Sequence, residues 1–222
     1  MVTGAAGTMG RAVAAALAAD GLKVVGIDVK PHKNGIVCDI SDPQAVAKAV
    51  RAIGRVDVLV NNAGILSNNK SEATTPEEWR RVLAANLDGA FYLSRAVIPG
   101  MKKRRWGRIV NTCSLAAKTG GLTAGTAYST SKGALTSLTF SLARELAAFG
   151  VTVNGISPAY VNTPMVTEQL SAAQRKAVLA QIPVGRFCEP EEFAHVVRFL
   201  VHPLAGFITG EIVDLNGGVI MD

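Results

Sequence analysis

Seven short runs rich in valine and isoleucine, separated by stretches of helical character, constrain this chain more than any other feature. They are Val2-Thr3, Lys23 to Asp28, Ile36 to Asp39, Val56 to Asn61, Arg108 to Thr112, Val151 to Ser157 and Ile212 to Leu215. Their apolar residues are continuous rather than alternating, as in strands covered on both faces. Between them the sequence predicts helices over Thr8 to Asp20, Asp42 to Ile53, Pro76 to Leu87 continuing to Lys103, Thr126 to Phe149, Ser171 to Gln181 and Pro190 to Leu200. Pro76-Glu77-Glu78 and Pro190-Glu191-Glu192 each place proline in a first turn and acids at the positive end of the helix dipole. Strand and helix alternating at this length imply right-handed crossovers and an α/β, doubly wound parallel sheet. No linker, repeat or low-complexity segment interrupts the pattern, so residues 1–222 read as a single domain. The first strand is the anomaly. It would be central, yet only Met1 to Thr3 precede the glycine turn, where a strand normally has about five residues. Either the sheet tolerates a stub or residues upstream are missing.

Composition narrows the class further. The chain is 49% hydrophobic and 18% charged, which suits a packed core and excludes a disordered chain. No apolar run reaches the ~18 residues of a membrane helix, and Ala12 to Ala19 is broken at Asp20. The start, Met1-Val2-Thr3-Gly4, lacks the charged and apolar regions of a secretory signal. Cys38, Cys113 and Cys188 are odd in number and widely spaced, which excludes a disulfide scaffold and a zinc ribbon and fits a reducing, cytoplasmic setting. His32, His195 and His202 fall in different segments, so no metal site is expected. The net charge is +6, and its densest contribution is Lys102 to Arg105. Those cations end a helix and offset its dipole, with no aromatic platform beside them. Trp106 reads as a packing residue and no nucleic-acid partner is expected.

The turn Thr3-Gly4-Ala5-Ala6-Gly7-Thr8-Met9-Gly10 joins the first strand to the first helix. Gly4 allows the tight turn, Gly7 a close backbone approach to a pyrophosphate, and Gly10 close helix packing. The N–H groups of Thr8 and Met9 open a helix whose positive end suits phosphate. A turn of this kind also occurs for purely structural reasons. Asp28 tips the balance, because it ends the second strand where a carboxylate meets the adenosine ribose. It would repel a 2′-phosphate, which favours NAD over NADP. Lys30, His32 and Lys33 just beyond it offer charge to a phosphate and pull the other way.

Tyr128 and Lys132 lie four apart in a helical stretch and so share one face. A cation at ~4 Å in an effective dielectric of ~20 contributes ~4 kcal/mol, enough to lower a phenol pKa from ~10 by up to ~3 units. On that expectation Lys132 makes Tyr128 an acid/base near neutral pH. Ser114 closes the fifth strand fourteen positions earlier, and Asn61-Asn62-Ala63-Gly64 closes the fourth.

These pieces together resemble the short-chain dehydrogenase/reductase family, over essentially the whole chain. The match includes Thr3 to Gly10, Asp39, Asn61 to Gly64, Asn86, Ser114, Tyr128, Lys132, Ser157-Pro158 with Thr163, and the tail Ile208-Thr209-Gly210 to Leu215-Asn216-Gly217-Gly218. The resemblance implies a Rossmann fold with strand order 3-2-1-4-5-6-7. It implies that Tyr128 is the general acid/base, Lys132 its helper at the nicotinamide ribose, Ser114 the partner of the reacting oxygen, and Asn86 the anchor of a proton-relay water. Asp39 and Ile40 would meet the adenine, Asn61, Ala63 and Gly64 the adenosine side, and Val161 and Thr163 the carboxamide. The departures are Thr8 for the usual glycine, Ala159 after Pro158, and a Ser114 to Tyr128 interval one residue longer than usual, to be absorbed by a loop with Gly120, Gly121 and Gly125.

The leading expectation is an NAD-dependent oxidoreductase interconverting a neutral secondary alcohol and its ketone. One rival is an NADPH-dependent 3-oxoacyl-[acyl-carrier-protein] reductase, and one of another class is a non-catalytic dinucleotide-binding redox sensor. The resemblance further implies a homotetramer packed through the stretches Leu87 to Lys103 and Thr126 to Phe149. Tyr160, Met165, Val166 and Leu170 read either as packing or as a lid over the substrate.

Overall fold

The computed structural model describes residues 1–33, 35–168 and 171–221, with only the backbone of Met165 and Thr167. Seven strands form one parallel sheet in the order β3-β2-β1-β4-β5-β6-β7. They are β1 (Val2–Thr3), β2 (Gly26–Asp28), β3 (Gly35–Val37), β4 (Val58–Asn61), β5 (Gly107–Thr112), β6 (Val151–Pro158) and β7 (Ile212–Leu215). The helices are α1 (Thr8–Ala19), α2 (Pro43–Ile53), α3 (Pro76–Leu83), α4 (Gly89–Arg104), α5 (Ala116–Thr119), α6 (Thr126–Leu146), α7 (Pro164–Thr167), α8 (Ala172–Leu179) and α9 (Pro190–Val201). The doubly wound expectation and the strand order hold. Among the described residues no helix is long and apolar enough to cross a membrane.

The continuous apolar runs have a simple cause. Successive strand residues face opposite layers, and both layers are dry. Ile109 and Val153 join Leu93, Val97, Met101 and Leu146 beneath α4 and α6. Val110 and Ile156, at odd spacing from them on the same strands, join Val13, Leu17, Phe193 and Leu200 beneath α1 and α9. Each such side chain stabilises the fold by about 1.5–3 kcal/mol through burial.

The residues of β1 pair with strands on both sides. Val2 sits opposite Gly26 and Val60, and Thr3 opposite Ile27. β2 starts at Gly26, opposite Val2, rather than at Lys23. The space left between the approaches to β2 and β4 is a cavity of about 760 Å³ reaching Val24, Val56 and Trp106. The Met1 amine donates to the Val58 carbonyl there, and burial lowers its pKa to about 6.

The connection from β2 to β3 is the second peculiarity. Parallel neighbours usually need a dozen or more residues and a helix between them. Here residues 29–34 suffice, and the described ones form no helix. His32 packs in place of a helix against the facing pair Gly26 and Gly35. A Cβ on Gly35 would stand 1.8 Å from His32 Nε2, so any side chain there would force the ring out of its place. β3 accordingly spans Gly35–Val37, earlier than the expected Ile36 to Asp39.

The long helical stretch from Pro76 has an unpredicted break. Between α3 and α4, Ala84–Asp88 forms a π-type turn with Asn86 buried at its centre. Such turns recur at functional sites. Three of the four cations in the Lys102–Arg105 run have partners inside the chain. Lys102 pairs with Glu145 at 2.9 Å, Arg104 with Asp57 at 3.1 Å, and Arg105 donates to the Ala148 carbonyl. Trp106 packs beneath the Arg108 guanidinium.

Candidate active site

The order of the strands reverses between β1 and β4, and a crevice opens at the carboxyl ends of such a pair. Thr3 ties its two sides together. Its hydroxyl oxygen accepts the Asn62 and Ala63 N–H groups, both at 2.9 Å, and its carbonyl accepts Asn62 Nδ2. Gly4 turns with φ +65°, and a Cβ on Gly10 would lie 2.1 Å from the Gly4 carbonyl oxygen. Both positions therefore demand glycine. Exposed Gly7 precedes α1, which has no side-chain cap and no acid in its first turn, where Thr8 and Met9 lie half-buried. The positive end of α1 is thus open beside a cradle of bare backbone, which fits a dinucleotide's diphosphate.

Asp28 stands at the rim of this cradle. Its Oδ2 accepts the Ala6 N–H at 3.0 Å and its Oδ1 the Lys30 N–H at 2.9 Å. Each oxygen retains a lone pair, so a fixed carboxylate still faces outward. Asp39 is exposed and holds Ser41 through its Oδ1. Ile40 is buried in the core against Gly89, so its side chain is a packing group. Asn61 is also interior, donating to Ser94 and Asn111 across β4 and β5. Gly64 is exposed at the crevice floor. Val161 is buried and bridges to Cys188, while Thr163 is half-buried and donates to the Val161 carbonyl.

Ser114 follows β5, and α6 carries Tyr128 and Lys132 one turn apart. Lys132 is almost wholly buried, its Nζ donating to the Thr112 carbonyl at 2.7 Å and lying 5.7 Å from the Tyr128 ring centre. Asn86 is clamped by Ile65, whose N–H it accepts at 2.8 Å and whose carbonyl it donates to at 3.0 Å. It also donates to Ser131. A Cβ on Gly64 would come within 3.1 Å of Asn86 Oδ1 and 3.5 Å of Lys132 Nζ. Four segments distant in sequence thus converge on one point.

The electrostatics differ from expectation. Burial pushes the Tyr128 phenol above its ordinary range, and its hydrogen bond with Ser114 pulls the other way without cancelling it. Lys132 does not depress the phenol here. Its own ammonium is lowered to about 8, chiefly by burial. Desolvation raises the phenol and lowers the ammonium, and no attraction from Lys132 offsets it at the phenol. Cys113, beside Ser114, is buried with its thiol pushed up, as suits an inert packing residue.

Ser114 and Tyr128 open onto a cavity of about 400 Å³ whose described lining residues carry no charge. Its walls include Leu66, Val166 and the expected lid residue Tyr160. Leu170 and the Met165 side chain lie outside the described residues. The loop before α6 absorbs the long Ser114 to Tyr128 interval through Gly120 and Gly121, both at positive φ. Lys70 pins that loop, donating to the carbonyls of Gly121 and Ala124 at 2.9 and 2.7 Å. Sequence reasoning missed Lys70 and the carbonyl of Thr112. No sequence signal announces a backbone acceptor, whereas Lys70 could have been flagged as a cation between two loops.

Residues 4–220 match the family described as Enoyl-(Acyl carrier protein) reductase. The 3-oxoacyl-[acyl-carrier-protein] reductase FabG of Vibrio cholerae is 40% identical, covering 100% of this chain and 96% of that protein. The acetoacetyl-CoA reductase of Shinella zoogloeoides is also 40% identical, over 98% of this chain and 96% of its own length. The crystal structure of 3-oxoacyl-[acyl-carrier protein] reductase from Brucella melitensis superposes with a TM-score of 0.94 at 34% identity, covering 99% of this chain and 90% of the other.

Fold, glycine cradle and relatives together define an oxidoreductase of CH–OH groups that works with a nicotinamide dinucleotide. The chain belongs to the short-chain dehydrogenase/reductase family, within its 3-oxoacyl-carrier-protein-reductase-like subgroup.

Proposed function

We propose that this protein reduces the ketone of a 3-oxoacyl thioester to a secondary alcohol. The observation that carries the reading is the uncharged cavity at Ser114 and Tyr128, which suits a neutral acyl group. Full-length similarity to two reductases named for 3-oxoacyl or acetoacetyl thioesters supports it. The broader expectation of a general secondary alcohol gives way to this narrower substrate class.

The dinucleotide supplies the hydride when bound. Tyr128 supplies the proton to the carbonyl oxygen, so that carbonyl, hydride and proton together make the carbinol. Its raised pKa keeps the phenol protonated at neutral pH, as a proton donor in the reductive direction must be. Ser114 holds the substrate oxygen beside Tyr128. Lys132, fixed by Thr112, faces the ribose, and Asn86 anchors a relay water in the space that Gly64 leaves clear. Gly4, Gly7, Thr8, Met9 and Gly10 hold the diphosphate, while Val161 and Thr163 take the carboxamide.

The cofactor is NAD(H), on the strength of the fixed Asp28 carboxylate at the cradle rim. Side-by-side fluorescence titration with NADH and NADPH tests this. A tenfold preference for NADH, about 1.4 kcal/mol, is expected. The opposite preference would assign selection to Lys30 and Lys33 instead. The activity is tested with a 3-oxoacyl thioester and Tyr128→Phe. A loss of about 10²–10⁴-fold is expected. An unchanged rate would return the protein to the redox-sensor reading.

A further inference from the structure

The substrate cavity does not end where its polar floor ends. Tyr160 and Ala159 line it on one side and line a second cavity, of about 160 Å³, on the other. The second cavity runs past Ile182, Val184 and Leu215 to the Arg186–Glu192 ion pair. Tyr160 therefore stands as a partition between two mostly apolar spaces.

Three contacts hold it in that posture. The Tyr160 hydroxyl lies 3.3 Å from the Thr123 hydroxyl, joining the β6–α7 connection to the loop before α6. That loop is anchored from behind by Lys70. The Tyr160 ring packs against Phe187 with centroids 6.4 Å apart. Its backbone is pinned as well. The Tyr160 carbonyl accepts the Cys188 N–H at 2.9 Å, and the Asn162 N–H donates to the Cys188 carbonyl at 2.8 Å. These bonds tie down the backbone beside the ring, and the Tyr160 side chain, with Ala159, forms the wall that the two cavities share.

We propose that Tyr160 is the specificity-determining residue for acyl-chain length, its ring latched by Thr123 so that only short 3-oxoacyl chains fit beside Ser114 and Tyr128. The proposal rests on the thioester reading for its substrate class. The partition itself acts on any ketone with a growing alkyl tail. Each further methylene that an apolar wall must refuse changes discrimination by about 10–200-fold.

The test compares wild type, Tyr160→Ala, Tyr160→Phe and Thr123→Val on acetoacetyl, 3-oxohexanoyl and 3-oxodecanoyl thioesters of N-acetylcysteamine. A parallel ladder of 2-alkanones of matching tail length is run on the same proteins. Cofactor titration and thermal melting report that each variant is folded. Tyr160→Ala is expected to raise the kcat/KM ratio of long over short chains at least tenfold, mainly through KM. Thr123→Val and Tyr160→Phe, which loosen the latch but keep the ring, should shift the ratio the same way by a smaller factor. A ratio within twofold of wild type on both ladders, in a folded Tyr160→Ala protein, would overturn the proposal. Turnover of alkanones without any turnover of thioesters would reject the thioester reading. The alkanone ladder would still decide the role of Tyr160.

Discussion

Replacing Lys132 with methionine should remove catalysis and yet stabilise the protein. The ammonium is buried, and its pKa falls from 10.5 to about 8. At about pH 7 it is charged in both folded and unfolded states, so the shift of about 2.5 units is a folding penalty of about 3 kcal/mol. Methionine fills similar volume and removes that penalty. It also leaves the Thr112 carbonyl, which accepts Lys132 Nζ, without its donor, at a cost of about 1–3 kcal/mol. The net expectation is a gain of about 1 kcal/mol, or about 2–4 °C in Tm for a chain of this size. The pH dependence gives an independent check. The folded pKa lies below the unfolded one, so between them the unfolded state binds more protons and stability rises with pH. Wild type should gain about 2 kcal/mol, relative to Lys132→Met, between about pH 7 and about pH 9.5. Urea titrations at both values measure it. If Lys132→Met is less stable than wild type by 2 kcal/mol or more at about pH 7, or shows no relative change with pH, the argument from desolvation is wrong.

Three further outcomes follow from named contacts. Gly10→Ala drives a methyl into the Gly4 carbonyl, so dinucleotide affinity should fall at least a hundredfold by fluorescence titration; a protein that binds normally would mean the cradle is misread. Gly35→Ala should cost about 1–3 kcal/mol through its clash with His32, and a double-mutant cycle with His32→Ala should recover most of that loss. Purely additive effects would show that His32 does not fill the crossover. Phe91 on α4 and Phe140 on α6 are exposed in the single chain, and a homotetramer packed through those helices would cover them; sedimentation should find a tetramer, and a monomer at micromolar concentration would refute that assembly.

The fold was legible because its strands are buried on both faces, and a run such as Ile109-Val110 needs no partner in view to declare itself. Tyr128 and Lys132 were legible because a helix places residues four apart on one face. Asn61 and Ile40 were read as candidate cofactor contacts; their side chains point into the interior, which leaves their backbone to meet a cofactor, since a motif records identity and not direction. The break at Ala84–Asp88 had no sequence signal, because nothing in Ala-Ala-Asn-Leu-Asp forbids an ordinary helix. It forms where Asn86 is clamped by Ile65 from a distant loop.

By itself the sequence determined the alternation of strand and helix, the glycine turn and the reactive side chains, because these rest on local geometry and on residue chemistry. The tertiary structure alone decided the charge balance of the site. Whether Lys132 lowers the Tyr128 pKa depends on the surroundings that each group meets in the fold, and only the packing of α6 against β5 sets those. It decided likewise that a six-residue crossover can stand where a helix is usual, because His32 happens to meet two glycines on neighbouring strands. Desolvation and close packing are sums over residues far apart in the chain, and they come into being only when the chain has folded.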